Sequence, residues 1–431
     1  MGNNRGAVPT SKPASAEQKG STTMTTTEHG VEQEEQAPVR YPFPWTPPME
    51  IPEALRGLRE KAVVTVTLPS GDKALLVTRY KDVRSLFADH RLSRNLARPG
   101  VARVSKDNEL FVDPNIDPDP PKHTQVRGLV TRAFTARRVE ALRPTVWEIA
   151  NDLMDKMEAG PRPADLNEAF AFPLPIRVIC KLLGVPAEDM NKFRRLVDGF
   201  LSVTKLPPEE VAECRKGLWQ YLGDLIEDKR KNPADDLVSE LIRVRDEDDN
   251  RLNEHELRFW TQGLLIAGYV TTASQIGSSI AVLLHKRELA EQIRQDWSLV
   301  PSAVEELLRA QIMGSSIGTM RYALEDIELS DGTIIKKGSS VLLSEESANM
   351  DETVFPDPFT LDLRRKDNHH MTFGAGLHYC VGAALARMEL QVATEGLLRR
   401  FPNLHLAIPG EKLPRALGGF MEGFTEIPVD W

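Results

Sequence analysis

Between Lys122 and Arg309 apolar residues recur at steps of three and four, the spacing that lines one face of a helix. With helix-forming composition where the period weakens, this predicts helices near 122–134, 137–158, 172–183, 187–201, 208–231, 253–285, 287–297 and 299–310. Ahead of that stretch the pattern predicts a short helix over Glu53–Lys61, then strands Val63–Leu68 and Ala74–Thr78. The turn Ser70–Asp72 makes these a hairpin, and a helix follows over Lys81–Ala88. Strands return at Thr319–Tyr322, Ile327–Leu329 and Ser340–Leu343, with the turn Ser330–Thr333 between the last two. Near the C-terminus Val381, Ala384, Leu385, Met388 and Val392 form one more stripe and predict a helix opening directly after Cys380. No internal repeat interrupts the order. The expectation is a mainly α chain with small β-sheets (α+β), one large helical domain over residues 41–431 behind a disordered, Ser/Thr/Gly/Gln/Glu-rich tail at 1–40.

One segment breaks the amphipathic rule. Gly263 to His285 carries no Asp, Glu, Lys or Arg and is long enough to span a bilayer. Glycine, serine and threonine dilute it, which favours a buried central helix of a soluble protein. The N-terminus has no apolar signal region, and Gly6 stands where myristoylation needs Ser or Thr. Met24 is an alternative first residue, the preceding stretch then being a tag or an overlong gene reading. The expectation is a cytoplasmic monomer without a membrane anchor.

Charge and cysteine usage narrow the function further. A net charge of −9 argues against general nucleic-acid binding. Cys180, Cys214 and Cys380 are odd in number and far apart, which suits a reducing compartment and excludes a disulfide framework.

Chemistry concentrates at Phe373–Gly382, FGAGLHYCVG. Gly374, Gly376 and Gly382 crowd Cys380, and glycine lets another group approach the backbone. A thiol placed before a helix is biased toward thiolate, the form that binds iron. The competing reading is a small buried hydrophobe. His378, two residues before Cys380, can donate to a carboxylate. Glu306 and Arg309 share a helix face as an ion pair, and most such pairs are solvated. His123 and Arg127, at i and i+4, can both donate to an anion, and Arg321 is a lone basic residue on a strand. In Ala267–Thr272, AGYVTT, Ala267 and Gly268 leave room for a flat ligand or form a helix-packing notch. The Thr271 hydroxyl can bond to the Ala267 carbonyl one turn back. Residues 93–120 show little periodicity and end in a proline-rich loop placed to cover a pocket.

Taken together and in this order, these features resemble the cytochrome P450 family, the haem-thiolate monooxygenases, over about Tyr41 to Trp431. FGAGLHYCVG matches the FGxGxHxCxG haem loop, Glu306 and Arg309 the ExxR pair, AGYVTT the oxygen-binding helix, HTQVR the haem-gripping helix, and FPDPFTLDLRR the meander. The resemblance implies the cytochrome P450 fold and haem b, with Cys380 as axial thiolate to iron. It implies that His123, Arg127, Arg321 and His378 hold the propionates, that Phe373, Gly374 and Gly382 shape the thiolate side, and that Ala267 and Gly268 face the macrocycle. Thr271 and Thr272 would serve oxygen activation. Glu306 and Arg309 would bond to the meander, not to substrate.

The chain departs from the family at Val270, where an acid usually precedes the threonine. Valine cannot carry a proton, so protons would arrive by water, by Thr271 or Thr272, or from the substrate. That leaves open an ordinary hydroxylation and an oxidative C–C or C–N coupling of a bulky aromatic, peptide-like or cyclodipeptide metabolite. Residues 93–116, 196–208, Trp260–Thr271, Ile312–Met320 and Phe420–Phe424, with Glu422, would form a roomy pocket with polar contacts. Three cysteines cannot hold a four-cysteine cluster, so electrons would come from a ferredoxin and its ferredoxin reductase. Arg132, Arg137, Arg138, Arg387, Arg399 and Arg400 are a candidate docking patch for that acidic partner, or scattered solvated arginines. Peroxide-driven oxidation and non-catalytic haem binding are the alternative functions.

Overall fold

Helix Glu254–His285 is 32 residues long and largely buried, and it packs against the helices Pro173–Leu183, Pro208–Lys231 and Ala383–Arg400. In the computed structural model the described residues are 1–2, 39–43, 49–51, 54–106, 112–203, 205–247, 252–310, 319–416, 421 and 423–431. The account below concerns the unit Pro38–Trp431. Residues 3–38 of the expected tail lie outside the described residues, as do 107–111, 204, 312–318, 420 and Glu422 of the expected pocket.

Six short strands make the main sheet: β1 (Val39–Arg40), β2 (Val63–Thr67), β3 (Lys73–Val77), β4 (Leu92–Ser93), β5 (Thr319–Ala323) and β6 (Ser340–Leu343). Their order is β1-β2-β3-β6-β5-β4. The hairpin forms as its alternation predicts, with Val63 opposite Val77. The strands read as separate minor sheets at the two ends of the chain instead join, because β3 pairs in parallel with β6. That join carries Arg321 on β5 to the same side as the loop after β4.

The helices that position the site are α1 (Tyr80–Phe87), α2 (Lys122–Thr131), α3 (Arg143–Ala159), α4 (Pro173–Leu183), α5 (Met190–Phe200), α6 (Pro208–Lys231), α7 (Glu254–His285), α8 (Val300–Ala310) and α9 (Ala383–Arg400). A capping box starts α7: Asn253 Oδ1 accepts from the Glu256 N–H at 2.9 Å, and the Asn253 N–H donates to Glu256 Oε2 at 2.9 Å. Its uncharged stretch is explained by burial, since Ile276, Ile280 and Leu283 are wholly inaccessible. Each contributes roughly 1.5–3 kcal/mol by leaving water. The helix passes a length and composition test for a membrane span, yet packs on α4, α6 and α9.

A helix and a π turn are among the elements absent from the sequence expectations. Leu237–Glu247 is a helix whose apolar face is buried beneath a strongly charged one. Asn167–Ala171 is a single π turn before α4. A third element is shifted: α9 begins at Ala383 with Gly382 as its cap, so Cys380 sits in the turn ahead of the helix and not at its first residue.

Candidate haem-thiolate site

A cavity of about 430 Å³ opens between α7 and the Phe373–Gly382 loop. Cys380, Phe373, Gly374, His378 and Gly382 line one side, with Ala267, Gly268, Thr271 and Thr272 on the other. The loop is fixed by backbone geometry. Gly374 and Gly376 have φ of +67° and +66°, and the Cys380 N–H donates to the Phe373 carbonyl at 2.9 Å. A Cβ on Gly376 would lie 2.6 Å from the Phe87 carbonyl oxygen, so α1 and the loop approach closely only because this residue is glycine. Gly382 has an ordinary φ of −86° and open space where a Cβ would go, so neither strain nor crowding requires it.

Cys380 opens onto the cavity. Burial among protein atoms raises its thiol pKa, while the Gly382 N–H, Arg127 and Arg387 act in the opposite direction. The Phe373 ring lines the cavity beside it, under the Arg387 guanidinium at 4.5 Å.

Cationic groups converge beside the sulfur, and Arg94, Arg127 and Arg321 outnumber the acids that act on the cluster, Asp119 and Glu345. The rings of His123 and His378 lie 4.1 Å apart, and Arg94 Nη1 is 3.3 Å from His378 Nδ1. His378 is pushed down to about 2 by burial and then by Arg94, His123, Arg321 and Arg127. His123 falls to about 4 by burial and then Arg127 and Arg94, and its buried Nδ1 has no partner. Arg321 is lowered to about 9 by burial and then Arg94. Such an arrangement lacks an anion. Two carboxylates would satisfy it, and a flat dianionic macrocycle carrying a metal for Cys380 fits both the donors and the cavity. The four basic residues expected from the sequence are brought together. Arg94 is the member sequence reasoning missed. It lies in the aperiodic loop after β4, and its only sequence signal is membership of the 93–116 segment.

The α7 wall differs from expectation at two points. The Thr271 hydroxyl donates to the Ala267 carbonyl at 2.8 Å as predicted, and Ala267 faces the cavity. Gly268 also lines it, but its missing Cβ makes room for Ile179 of α4, 2.8 Å away, so the notch serves helix packing. Val270 is not among the cavity-lining residues and packs on the core.

Glu306 and Arg309 are wholly buried, not solvated. Two bonds of 2.7 and 2.8 Å join them. Arg309 also donates to the Asn349 carbonyl, while Glu306 accepts from Arg365, Asn368 and the Asp362 N–H. They tie α8 to the meander, as the resemblance implies. The candidate docking patch is weaker than its arginine count. Arg138, Arg387, Arg399 and Arg400 are paired with Glu240, Glu305, Glu395 and Asp155, leaving Arg132 and Arg137 exposed.

A mostly helical domain that presents a loop cysteine and a cationic cage to one cavity defines a haem-thiolate protein. Residues 181–417 match the family model for Cytochrome P450. A mycinamicin IV hydroxylase/epoxidase of Micromonospora griseorubida is 43% identical over 397 residues, 91% of this chain and 99% of that protein. A nocardicin C N-oxygenase of Nocardia uniformis subsp. tsuyamanensis is 41% identical over 394 residues, 91% and 98% of the two chains. The crystal structure of a putative thioether synthase, involved in tailoring griseoviridin, superposes with a TM-score of 0.86 at 43% identity, covering 92% of this chain and all of that one. This chain belongs to the cytochrome P450 family. It is a haem monooxygenase, with iron held by an axial cysteine thiolate.

Proposed function

We propose that this protein oxidises a bulky bacterial secondary metabolite by oxygen insertion, with electrons from a ferredoxin and its reductase. The observation that carries this reading is a cavity with Cys380 on one side and Thr271 and Thr272 on the other. When bound there, haem supplies the oxygen-activating chemistry. The protein's part is to hold and to supply. Arg94, His123, Arg127, Arg321 and His378 would take the propionates by charge-assisted hydrogen bonds. Arg127, Arg387 and the Gly382 N–H would favour thiolate at Cys380 against burial. Thr271, its proton committed to the Ala267 carbonyl, would accept a hydrogen bond from the oxygen side.

A second cavity of about 430 Å³ supports a large substrate with polar groups. Phe200, Trp219 and Phe259 line it with Asp113, Arg215 and His255. His255 Nε2 lies 2.7 Å from Asp113 Oδ2, tying the loop before α2 to the start of α7. The relatives above are named for mycinamicin IV, for nocardicin C and for the tailoring of griseoviridin, which supports a tailoring role on a secondary metabolite.

The test is spectroscopic and then analytical. Reduced protein under carbon monoxide should show the red-shifted Soret band of a thiolate ligand, and a histidine-type spectrum overturns the reading. With a ferredoxin, its reductase and mycinamicin IV and nocardicin C as probes, gain of an oxygen atom supports insertion. Loss of two hydrogens makes coupling the reaction, and turnover with peroxide alone replaces the ferredoxin route.

A further inference from the structure

Phe373 and Tyr379 bracket Cys380. The Phe373 carbonyl accepts from the Cys380 N–H at 2.9 Å, and Tyr379 directly precedes the cysteine. One guanidinium touches both side chains. Arg387, in the second turn of α9, sets its Cζ 4.5 Å from the centroid of the Phe373 ring, and its Nη1 donates to the Tyr379 hydroxyl at 3.1 Å.

A side chain as long as arginine stays in one place only if something holds it. Glu305 of α8 does so. Its Oε1 accepts from Arg387 Nε at 2.7 Å and its Oε2 from Nη2 at 2.9 Å, a forked contact that fixes the guanidinium plane. Glu305 is held in turn by His370, whose side chain is 1% exposed. The Thr372 N–H donates to His370 Nδ1 at 3.3 Å, which leaves Nε2 to donate to Glu305 Oε2 at 3.0 Å. Burial opposes the Glu305 charge, but the bonds from His370 and Arg387 outweigh it and bring the carboxyl down to about 2. An unbroken chain thus runs from the Thr372 backbone through His370, Glu305 and Arg387 to the two side chains beside Cys380. Of its two charged members, Arg387 acts on the Cys380 thiol and Glu305 does not. A salt bridge that only joined α8 to α9 would need neither the ring nor the hydroxyl.

We infer that Glu305 is a positioning residue for the thiolate: it holds the Arg387 cation beside Cys380 and so raises the reduction potential of the iron that Cys380 binds. A fixed cation beside a thiolate ligand favours the ferrous state, which carries one positive charge fewer than the ferric. The inference rests on Cys380 being the iron ligand.

Redox titrations of haem-loaded wild type, Arg387→Gln, Arg387→Lys, Glu305→Gln and the Glu305→Gln, Arg387→Gln double variant test it. Arg387→Gln removes the cation, and its potential should fall by about 59 mV, a tenfold change in a one-electron equilibrium. Arg387→Lys keeps the charge and should stay closer to wild type. Loss of the Glu305 anion by itself would raise the potential. Because Arg387 is released with it, Glu305→Gln should lower the potential instead, and in the Arg387→Gln background the same change should lower it no further. A rise or no change in Glu305→Gln overturns the inference. So does a fall that persists in the double variant, since Glu305 would then act without Arg387. Glu305→Gln keeps the size of the side chain and an acceptor for His370, so loss of the thiolate Soret band from this change alone would show a structural role and overturn the inference too. A wild-type protein without that band overturns the haem reading itself.

Discussion

The imidazoles of His123 and His378 lie 4.1 Å apart between centroids, tilted by 45°, and feel the same three arginines, Arg94, Arg127 and Arg321. Neither ring can take a proton without facing like charge. His123 is 4% exposed, and its pKa of about 4 lies below the ordinary 6.5. Between these values the unfolded chain binds the proton and the folded chain does not, so stability falls as pH falls. The loss is complete near pH 4 and is on the order of 3 kcal/mol. Urea unfolding of haem-free protein at pH 7 and pH 4.5 should show the decline, and His123→Gln should flatten it. Rising stability on acidification would contradict the assignment.

The same cage predicts haem retention. Arg94→Gln and Arg321→Gln each remove a charge-assisted bond worth about 1.5–3 kcal/mol, so each should speed haem loss to an apomyoglobin trap roughly tenfold or more. Equal effects of the two would place Arg94 in the cage on the same footing as Arg321. No effect of Arg94→Gln would remove it.

How much of this was readable beforehand varies with distance along the chain. The cysteine loop, the hairpin and the helix at 253–285 were legible because their signals are local: glycine spacing, alternation and the Asn253–Glu256 cap. The burial of Glu306 and Arg309 was not readable from spacing, since an i,i+3 pair looks the same on a surface, and only the resemblance pointed to it. Arg94 was missed for a related reason. It enters the site through the pairing of β4 with β5, a contact without a sequence period.

The Glu306–Arg309 pair predicts a stability effect without a substrate effect. Arg309→Ala removes one of the two arginines paired with the buried Glu306 carboxylate and leaves it Arg365, Asn368 and the Asp362 N–H, and breaking a buried pair costs about 3–5 kcal/mol. Arg309→Lys should recover little, because one ammonium cannot reproduce the forked contact to Glu306 together with the bond to Asn349. Denaturant midpoints should drop for both variants. A wild-type midpoint for either would show that α8 and the meander do not depend on this pair.

Val270→Asp distinguishes a missing catalytic acid from a packing residue. The side chain packs on the core and does not line the cavity. A carboxylate there should lower stability by about 1–3 kcal/mol and leave the ratio of peroxide released to reductant consumed within about twofold of wild type. A large fall in that ratio would mean that position 270 does reach the oxygen side.

Two glycines of one loop should answer alanine differently. Gly376 holds φ at +66°, and an added methyl would sit 2.6 Å from the Phe87 carbonyl, a backbone atom that cannot swing aside. Strain and clash act together, so Gly376→Ala should cost about 1–3 kcal/mol or more and lower haem content by moving Cys380. At Gly382, φ is −86° and nothing lies within 4 Å of the methyl. Gly382→Ala keeps the N–H that faces the Cys380 sulfur, so stability and the Soret position should stay close to wild type. Parallel losses in the two variants would mean that Gly382 is needed for contact with the haem itself, since the protein around it leaves the space open.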